Sequence, residues 1–274
     1  MEKYRLTEET INVNGITLYR IKALKNFGDV KEGNKGGFVE NDRNLSHDGN
    51  CWVYNNAKVY GDAKVYSNAK VYGDAKVFDN AKVYGDAKVF DNAKVYGDAK
   101  VFDNAKVYGD AEVFDNAKVY GDAKVFDNAK VYGDAEVFGH AEVFGHANVF
   151  SYAKVFGHAE VFGHANVFSY AKVFGYAKVF DNAKVYGNAV VRGNAEVCGY
   201  ALIQDMSDYI VFKNWWSSGR FFTWTKSNNM WKVGCFYGSG RELIEKAYKD
   251  SEKSGVEYER VVNYVESILT NEKK

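Results

Sequence analysis

The chain has 274 residues, and its 36 basic side chains balance 36 acidic ones. A neutral chain lacks both the excess positive charge of a non-specific DNA-binding protein and the negative field of a DNA mimic. Its hydrophobic content of 46% excludes wholesale disorder. The sequence contains no apolar run of about 18 residues, so we expect no membrane-spanning helix.

Cysteine usage and the amino terminus indicate a cytoplasmic protein. Residues 1–10 carry charges throughout and lack the apolar core of a signal peptide. The three cysteines, Cys51, Cys198 and Cys235, are odd in number and form no metal-type pair. We therefore expect reduced thiols in a cytosol.

The first 50 residues are predicted to form an N-terminal β cap. Residues 16–24 alternate apolar and polar side chains as a strand does, and residues 36–40 (Gly-Gly-Phe-Val-Glu) indicate a turn followed by a strand. A cap is expected here because the repeat that follows would otherwise expose unpaired backbone at its end.

Residues 51–206 are 26 consecutive hexads without an insertion. We number the positions of each hexad as slots one to six. Slot one is alanine in 25 hexads, slot three is valine in 25, and slot four is Tyr or Phe in the first 23. Slots five and six hold turn-forming or small polar residues, histidine or tyrosine almost everywhere.

This pattern predicts a β-solenoid. Ala-x-Val-x places a small and a β-branched side chain on the same side of an extended segment. The Gly-Asp, Asp-Asn or Gly-His pair that follows supplies a bend. An α-helix is excluded because Val, Tyr, Phe, Gly, Asp and Asn are all poor helix formers.

Two observations indicate three hexads per coil. Residues 141–157 recur identically at 159–175, a tandem copy at a period of 18. A coil of 12 residues would also stack aspartates on aspartates, whereas a coil of 18 alternates Asp with Asn at each corner. The repeat then makes about 8.7 coils and a rod roughly 42 Å long at about 4.8 Å per coil.

Residues 207–274 are predicted to form a small C-terminal α+β domain. Residues 220–226 and 230–236 indicate two strands of a hairpin. Ser239 and Glu242 form a capping box that opens a helix, which Ser254-Gly255 is expected to end before a second helix begins. Four of the five tryptophans lie in this domain.

The surface of the solenoid supplies most of the candidate partner-binding residues. If slots one and three point inward, slots two and four point outward, so rows of lysine flank rows of stacked Tyr and Phe. Such rows either only stabilise the rod or form a contact surface for another molecule. The candidates are Tyr60, Tyr72, Tyr84, Tyr96, Lys58, Lys76, Lys94, His140, His146, His158, His164, Trp215, Trp216, Trp224 and Trp231.

The histidines recur at a spacing of one coil. His140 and His158 share one corner, with Asp122 one coil before them, and His146 and His164 share another. No corner offers the three or four close ligands that zinc needs, and the aspartates lack an EF-type loop for calcium. We expect no metal and no cofactor.

The hexads resemble the repeat of the single-stranded left-handed parallel β-helix, over 156 residues. The left-handed sense is implied by this resemblance alone. The best-known proteins with this fold are acyltransferases, typically trimers with a histidine at the subunit cleft as general base and loops that interrupt the coils. Here no loop interrupts the hexads and every solenoid histidine lies in a repeated turn, so we expect no catalytic residue and no enzyme.

A second resemblance covers nearly the whole chain. Residues 4–7, 21–24 and 36–40, the entry Cys-Trp-Val-Tyr at 51–54 and the segment 230–238 are similar to polymer-forming-cytoskeleton-like solenoid proteins of phages and prophages. The resemblance implies a phage accessory protein in the host bacterial cytosol. We therefore expect a non-catalytic protein that binds a host protein or a protein–nucleic acid complex, for example as an inhibitor of a CRISPR-type nuclease. The alternatives are a scaffold that self-assembles through the aromatic rows or the C-terminal domain, and a hexapeptide-repeat acyltransferase.

Overall fold

Three strands precede the repeat in the computed structural model, which describes residues 2–271. β1 (Tyr4–Val13) pairs antiparallel with β2 (Ile16–Ala23), and β2 pairs antiparallel with β3 (Lys35–Val39). A short 3-10 helix, Asp42–Asn44, follows. β3 pairs in parallel with a strand of the first coil, so the N-terminal cap continues one side of the solenoid.

A buried lysine attaches the chain start to the first coil. Lys3 is 1% exposed, and its Nζ donates to the Cys51 carbonyl at 2.9 Å and contacts the Cys51 Sγ at 3.2 Å. Burial lowers the pKa of Lys3, although the Cys51 thiol and Asp48 partly oppose that shift. Backbone carbonyls therefore replace much of the water that the ammonium loses.

Each hexad contributes one two-residue strand from slots two and three, and the strands form three parallel faces. The first face holds β4 (Trp52–Val53), β7 (Lys70–Val71), β10 (Lys88–Val89), β13 (Lys106–Val107), β16 (Lys124–Val125), β19 (Glu142–Val143), β22 (Glu160–Val161), β25 (Lys178–Val179) and β28 (Glu196–Val197). The second face holds β5 (Lys58–Val59), β8 (Lys76–Val77), β11 (Lys94–Val95), β14 (Glu112–Val113), β17 (Lys130–Val131), β20 (Asn148–Val149), β23 (Asn166–Val167), β26 (Lys184–Val185) and β29 (Leu202–Ile203). The third face holds β6 (Lys64–Val65), β9 (Lys82–Val83), β12 (Lys100–Val101), β15 (Lys118–Val119), β18 (Glu136–Val137), β21 (Lys154–Val155), β24 (Lys172–Val173) and β27 (Val190–Val191).

The register confirms three hexads per coil. Lys106 pairs with Lys88 below it and with Lys124 above it, a step of 18 residues each way. The Lys106 amide donates to the Ala123 carbonyl at 3.0 Å, and the Tyr108 amide donates to the Val125 carbonyl at 3.0 Å. The predicted fold class is therefore confirmed, as a mainly β protein with a parallel solenoid of about nine turns.

The backbone conformation at slot five explains the Gly-Asp and Asp-Asn pairs of the hexads. Its backbone is left-handed, with φ of +68° at Gly109 and +56° at Asp115. Glycine adopts this region without strain, and Asp and Asn tolerate it better than other residues. A Cβ on Gly109 would lie 2.9 Å from the Asp127 backbone nitrogen of the next coil, so glycine also permits close approach.

Alanine and valine fill the interior along the whole rod. Every slot-one alanine from Ala57 to Ala201 is 0% exposed, and the slot-three valines are 0% or 1% exposed. Trp52 is 1% exposed and closes the N-terminal end of this core. The small and the branched side chain fit the narrow coil together.

The slot-four rings form the three predicted ladders outside the core. Tyr96 and Phe114 lie with centroids 4.9 Å apart and planes within 1°, and the rings above and below repeat this arrangement. Most of these rings are half-buried. Burial raises the pKa of the ladder tyrosines between Tyr54 and Tyr132, to about 12 at Tyr96 and Tyr120, where a glutamate hydrogen bond adds to the effect.

The C-terminal domain is a four-stranded antiparallel sheet followed by two helices. Its elements are β30 (Tyr209–Lys213), β31 (Phe221–Thr225), β32 (Met230–Val233), β33 (Phe236–Gly238), α1 (Gly240–Asp250) and α2 (Glu252–Asn271), with a 3-10 helix at Met206–Asp208 before them. Ser239 and Glu242 form the predicted capping box. Among the described residues, no helix combines the length and the hydropathy needed to cross a membrane.

Two predictions in this domain are wrong. The single strand expected over 230–236 is two strands, because the chain turns at Gly234 with φ of +54°. Ser254-Gly255 does not end a helix but lies inside α2. The break comes at Ser251, whose extended backbone ends α1 and whose Oγ accepts a hydrogen bond from the Ser254 amide at 3.1 Å.

Side-chain hydroxyls cap the last coil. The Glu196 amide donates to Thr223 Oγ1 at 2.8 Å, and the Leu202 amide donates to Ser227 Oγ at 2.7 Å. The Tyr209 hydroxyl accepts from the Arg192 amide and donates to the Val190 carbonyl at 2.9 Å. Each face thus ends on a hydroxyl instead of an open strand edge that could pair with another chain.

Loss of one capping hydroxyl should destabilise the end of the rod. Thr223 is 1% exposed, so Thr223→Val would leave the Glu196 amide without an acceptor. We expect a loss of about 1–3 kcal/mol in the free energy of unfolding, measured by urea denaturation. Thr223→Ser keeps the hydroxyl and should stay near wild type, and equal stability of the Val and Ser variants would contradict this role.

The aromatic ladders should make the fold sensitive to alkali. Ladder tyrosines keep their protons in the folded state above the pH at which unfolded tyrosines, with pKa of about 10, lose theirs. Their stabilising contribution is therefore complete below about pH 10 and is lost as pH rises towards about 12. We expect the melting temperature by circular dichroism to be level from pH 7 to 9 and to fall above pH 10, less steeply in Tyr66→Phe/Tyr84→Phe. Equal steepness in that variant would exclude the ladders as the cause.

Candidate functional site

Grooves run along the corners of the solenoid. The first corner lies between the third and first faces, the second corner between the first and second faces, and the third corner between the second and third faces. At the first and third corners, slot-six side chains form one wall of the groove, and the slot-two side chains of the next face form the other. The first groove encloses about 1020 Å³, from Gly28 to His158, and the third groove about 910 Å³, from Arg43 to Lys154.

Lysines stack directly on lysines along the first groove. Lys70 forms an ion pair with Asp29 at 2.8 Å, and Lys124 forms one with Glu142 at 2.7 Å. Between them, Lys88 and Lys106 have no ion pair within the described part of the chain. This stretch of the groove therefore carries cationic heads beside the carboxylate and amide groups of slot six.

Glutamates interrupt and neutralise the lysine rows of the second and third faces at single positions. Glu112 on the second face contacts Lys94 Nζ at 2.9 Å and Lys130 Nζ at 3.6 Å. Burial alone would raise the pKa of Glu112, but the hydrogen bond from Lys94 and the charges of both lysines hold it below the usual value. Glu136 on the third face lies in the same way between Lys118 and Lys154.

The first corner brings a histidine and a carboxylate together. His140 Nδ1 lies 3.7 Å from Asp122 Oδ2, one coil below. The His140 ring stacks on His158 at 4.8 Å, and His158 stacks on Tyr176 at 4.9 Å. Both partners face solvent, with 58% of the His140 side chain and 53% of the Asp122 side chain exposed. At 3.7 Å the two groups form no hydrogen bond, but the carboxylate oxygen lies within ion-pair range of the ring nitrogen.

The second corner carries histidines without such a carboxylate. His146 and His164 stack at 5.0 Å, but neither imidazole forms an ion pair with an acidic side chain of the described residues. The residue one coil below His146 is Asn128. The two histidine pairs are therefore not equivalent, although their hexads are nearly identical. No group of three or more His, Cys, Asp or Glu in the described part of the chain could hold a metal ion.

The predicted aromatic and lysine candidates lie in the ladders. Tyr60 is only 8% exposed and packs against the N-terminal cap, so it is a core residue rather than a contact for a partner. Tyr72, Tyr84 and Tyr96 are half-buried ladder rings. Lys58, Lys76 and Lys94 lie half-buried on the second face.

The tryptophan candidates divide into core and surface residues. Trp224 and Trp231 are each 2% exposed and belong to the core of the C-terminal domain, so neither is available to a partner. Trp216 packs edge-on against Tyr258 and Phe222. Trp215 is 76% exposed and remains a surface candidate.

Asp122 was considered near His140 only as a metal ligand and was not predicted as a site residue. The signal was present, because slot six reads Asp, His, His at residues 122, 140 and 158, one coil apart. The capping hydroxyls of Tyr209, Thr223 and Ser227 were missed, because no local pattern marks which hydroxyl meets the last coil.

Comparison with known proteins gives one partial match, and no family model matches the chain. The chain is similar to the uncharacterized acetyltransferase YdcK of Escherichia coli strain K12, with 38% identity over 72 residues. The match spans 23% of this chain and 22% of that protein. A partial match of this size does not place the chain in a family.

The match corrects one expectation. The chain was expected not to be an enzyme, but the protein it resembles is named as an acetyltransferase. The argument from repetition also fails on the structure, because His140 differs from the other solenoid histidines in its carboxylate neighbour.

Proposed function

We propose that this protein is an acyltransferase that uses His140 as a general base in the first groove. The position of His140 above Asp122 in a long open groove carries the proposal. The partial similarity to a protein named as an acetyltransferase supports it. The rigid solenoid would hold both side chains at fixed heights, one coil apart.

The reaction requires one proton to move twice. His140 would take the proton of an acceptor amine or hydroxyl as that group attacks the carbonyl carbon of an acyl thioester. The carbon–sulfur bond then breaks, and the imidazolium returns the proton to the departing thiolate. The products are an amide or ester and a free thiol. Asp122 would orient the ring and stabilise its charged form between the two steps.

The lysines of the same groove would bind the acyl donor. Lys88 and Lys106 lie toward the N-terminal side of His140, and neither has an ion pair within the described residues. A donor that carries phosphate groups would place them against these ammonium groups. The donor would then lie along the rod with its thioester toward His140.

Substitution of His140 should abolish acyl transfer selectively. We expect His140→Asn to lower thiol release from acetyl-CoA, with a panel of amine and hydroxyl acceptors, by roughly 10²–10⁴-fold. Asp122→Asn should lower the rate less, because it removes orientation and leaves the base. The readout is the rate of thiol appearance under saturating donor.

His146→Asn is the matched control. His146 is also a slot-six histidine stacked on another histidine, but it lacks the carboxylate. It should retain the wild-type rate. Equal loss in the two histidine variants, or no thiol release by the wild type with any acceptor, would refute the proposed mechanism.

A second proposal is that the rod engages a host macromolecule, as a phage-type accessory protein that inhibits a defence nuclease would. The observation that favours it is the unbroken length of the first groove, whose lining runs from Asn50 to His158, a span of six coils. Such a surface is longer than a small substrate needs. Trp215, exposed on the C-terminal domain, would add an aromatic anchor.

Charge reversal in the groove should disrupt this engagement. We expect a stoichiometric host protein to copurify with the tagged chain from bacterial lysate, and to be lost with Lys88→Glu/Lys106→Glu. Lys246→Glu/Lys249→Glu on α1 makes the same charge change away from the groove and should retain the partner. Loss only after nuclease treatment would show that nucleic acid bridges the two, and large oligomers of the purified chain in sedimentation would favour the scaffold instead.

A further inference from the structure

The third corner carries an aromatic column that stops short. Tyr152 and Tyr170 stack at 5.1 Å with planes within 6°, and they are 52% and 60% exposed. One coil above Tyr170 the slot-six residue is Asn188. No ring of the described residues stacks on the upper side of Tyr170.

A cleft of about 500 Å³ opens at this point. Its lining is Tyr152, Lys154, Tyr170, Lys172, Asn188 and Val190. Val190 occupies slot two, where the two coils below carry Lys154 and Lys172. An apolar side chain therefore lies next to the open side of the Tyr170 ring.

The cleft is also positively charged. Its lining contains two lysines and no carboxylate. The adjoining groove of the same corner shares Tyr152 and Lys154 with the cleft, but its lining toward the N-terminal end includes aspartates and Glu136. Lys154 Nζ contacts Glu136 Oε2 at 3.3 Å, on the side away from Tyr170. Lys172 is exposed and forms no ion pair with any described residue.

These groups match the parts of one class of ligand. The open ring of Tyr170 offers a stacking surface for a planar base. The Asn188 side-chain amide can accept a hydrogen bond from adenine N6–H through its oxygen and donate one to adenine N7 through its nitrogen. The Lys172 ammonium can bind a phosphate.

We propose that this cleft binds an adenine mononucleotide, with the base on Tyr170, the base edge at Asn188 and the phosphate at Lys172. The base would lie on the outer part of the Tyr170 ring, beside the shorter side chain of Asn188 that follows Tyr170 in the column. The site lies at a different corner from His140 and does not depend on the acyltransferase proposal.

The first corner provides a matched control. Tyr176 also ends a column, on His158, and is 62% exposed. The slot-two residue that corresponds to Val190 at this corner is Glu196. Its Oε2 lies 3.9 Å from Lys232 Nζ. An anionic nucleotide should therefore not bind on Tyr176.

The test is calorimetric titration of the full-length chain with AMP. We expect Tyr170→Ala to weaken AMP binding by roughly 5- to 150-fold, the range for loss of one base–aromatic stack. Lys172→Gln should weaken AMP while leaving the weaker binding of adenosine unchanged. Tyr176→Ala and His140→Asn should bind AMP as the wild type does. All four side chains are exposed, and circular dichroism will verify that each variant folds.

Several results would overturn the proposal. These are absence of AMP binding by the wild type, equal weakening by Tyr170→Ala and Tyr176→Ala, and ribose 5-phosphate binding as tightly as AMP. A short deoxyadenosine strand that binds far more tightly than AMP, and loses that affinity with Tyr170→Ala, would assign the cleft to single-stranded nucleic acid and reject the mononucleotide.

Discussion

Backbone hydrogen bonds between successive coils, which align residues 18 positions apart, determine nearly everything else in this molecule. Because each coil lies in register on the one below, every side chain lies directly above its equivalent. The same constraint produces the alanine–valine core, the stacked rings and the lysine ladders. Stacking of equivalent side chains is favourable where aromatic rings meet and unfavourable where Lys88 lies above or below Lys106. The backbone hydrogen bonds and the core hold both arrangements in place.

The solenoid could be predicted from the sequence because its signal is repeated 26 times. The period, the inward slots and the turn chemistry follow from residue types alone. Stacked aspartates were taken to disfavour a shorter coil, yet the structure stacks lysines on lysines. Long lysine stems can diverge and keep their heads in water, so stacking of like charges does not by itself exclude a coil.

The rest could not be predicted, because it depends on contacts between distant segments. A hydroxyl caps a coil only if the C-terminal domain places it there, as it places Thr223 and Ser227. The burial of Trp224 and Trp231 depends on the packing of the helices against the sheet. His140 was included among the candidates, but its difference from His146 lies in a residue one coil away, which a comparison of individual hexads does not reveal.

The side chain at slot six varies along this chain, and it determines the chemistry of each corner. The number of inserted or deleted hexads decides which slot-six residues share a corner. One extra hexad would leave the alanine–valine core intact, since each hexad packs like any other. It would nevertheless turn everything after it by a third of a revolution, and Asp122 would then lie below a different corner from His140. Three extra hexads restore the alignment, as the tandem copy of residues 141–157 at 159–175 does. Insertion or deletion of hexads in numbers other than multiples of three therefore preserves the fold but changes which surface side chains lie above one another.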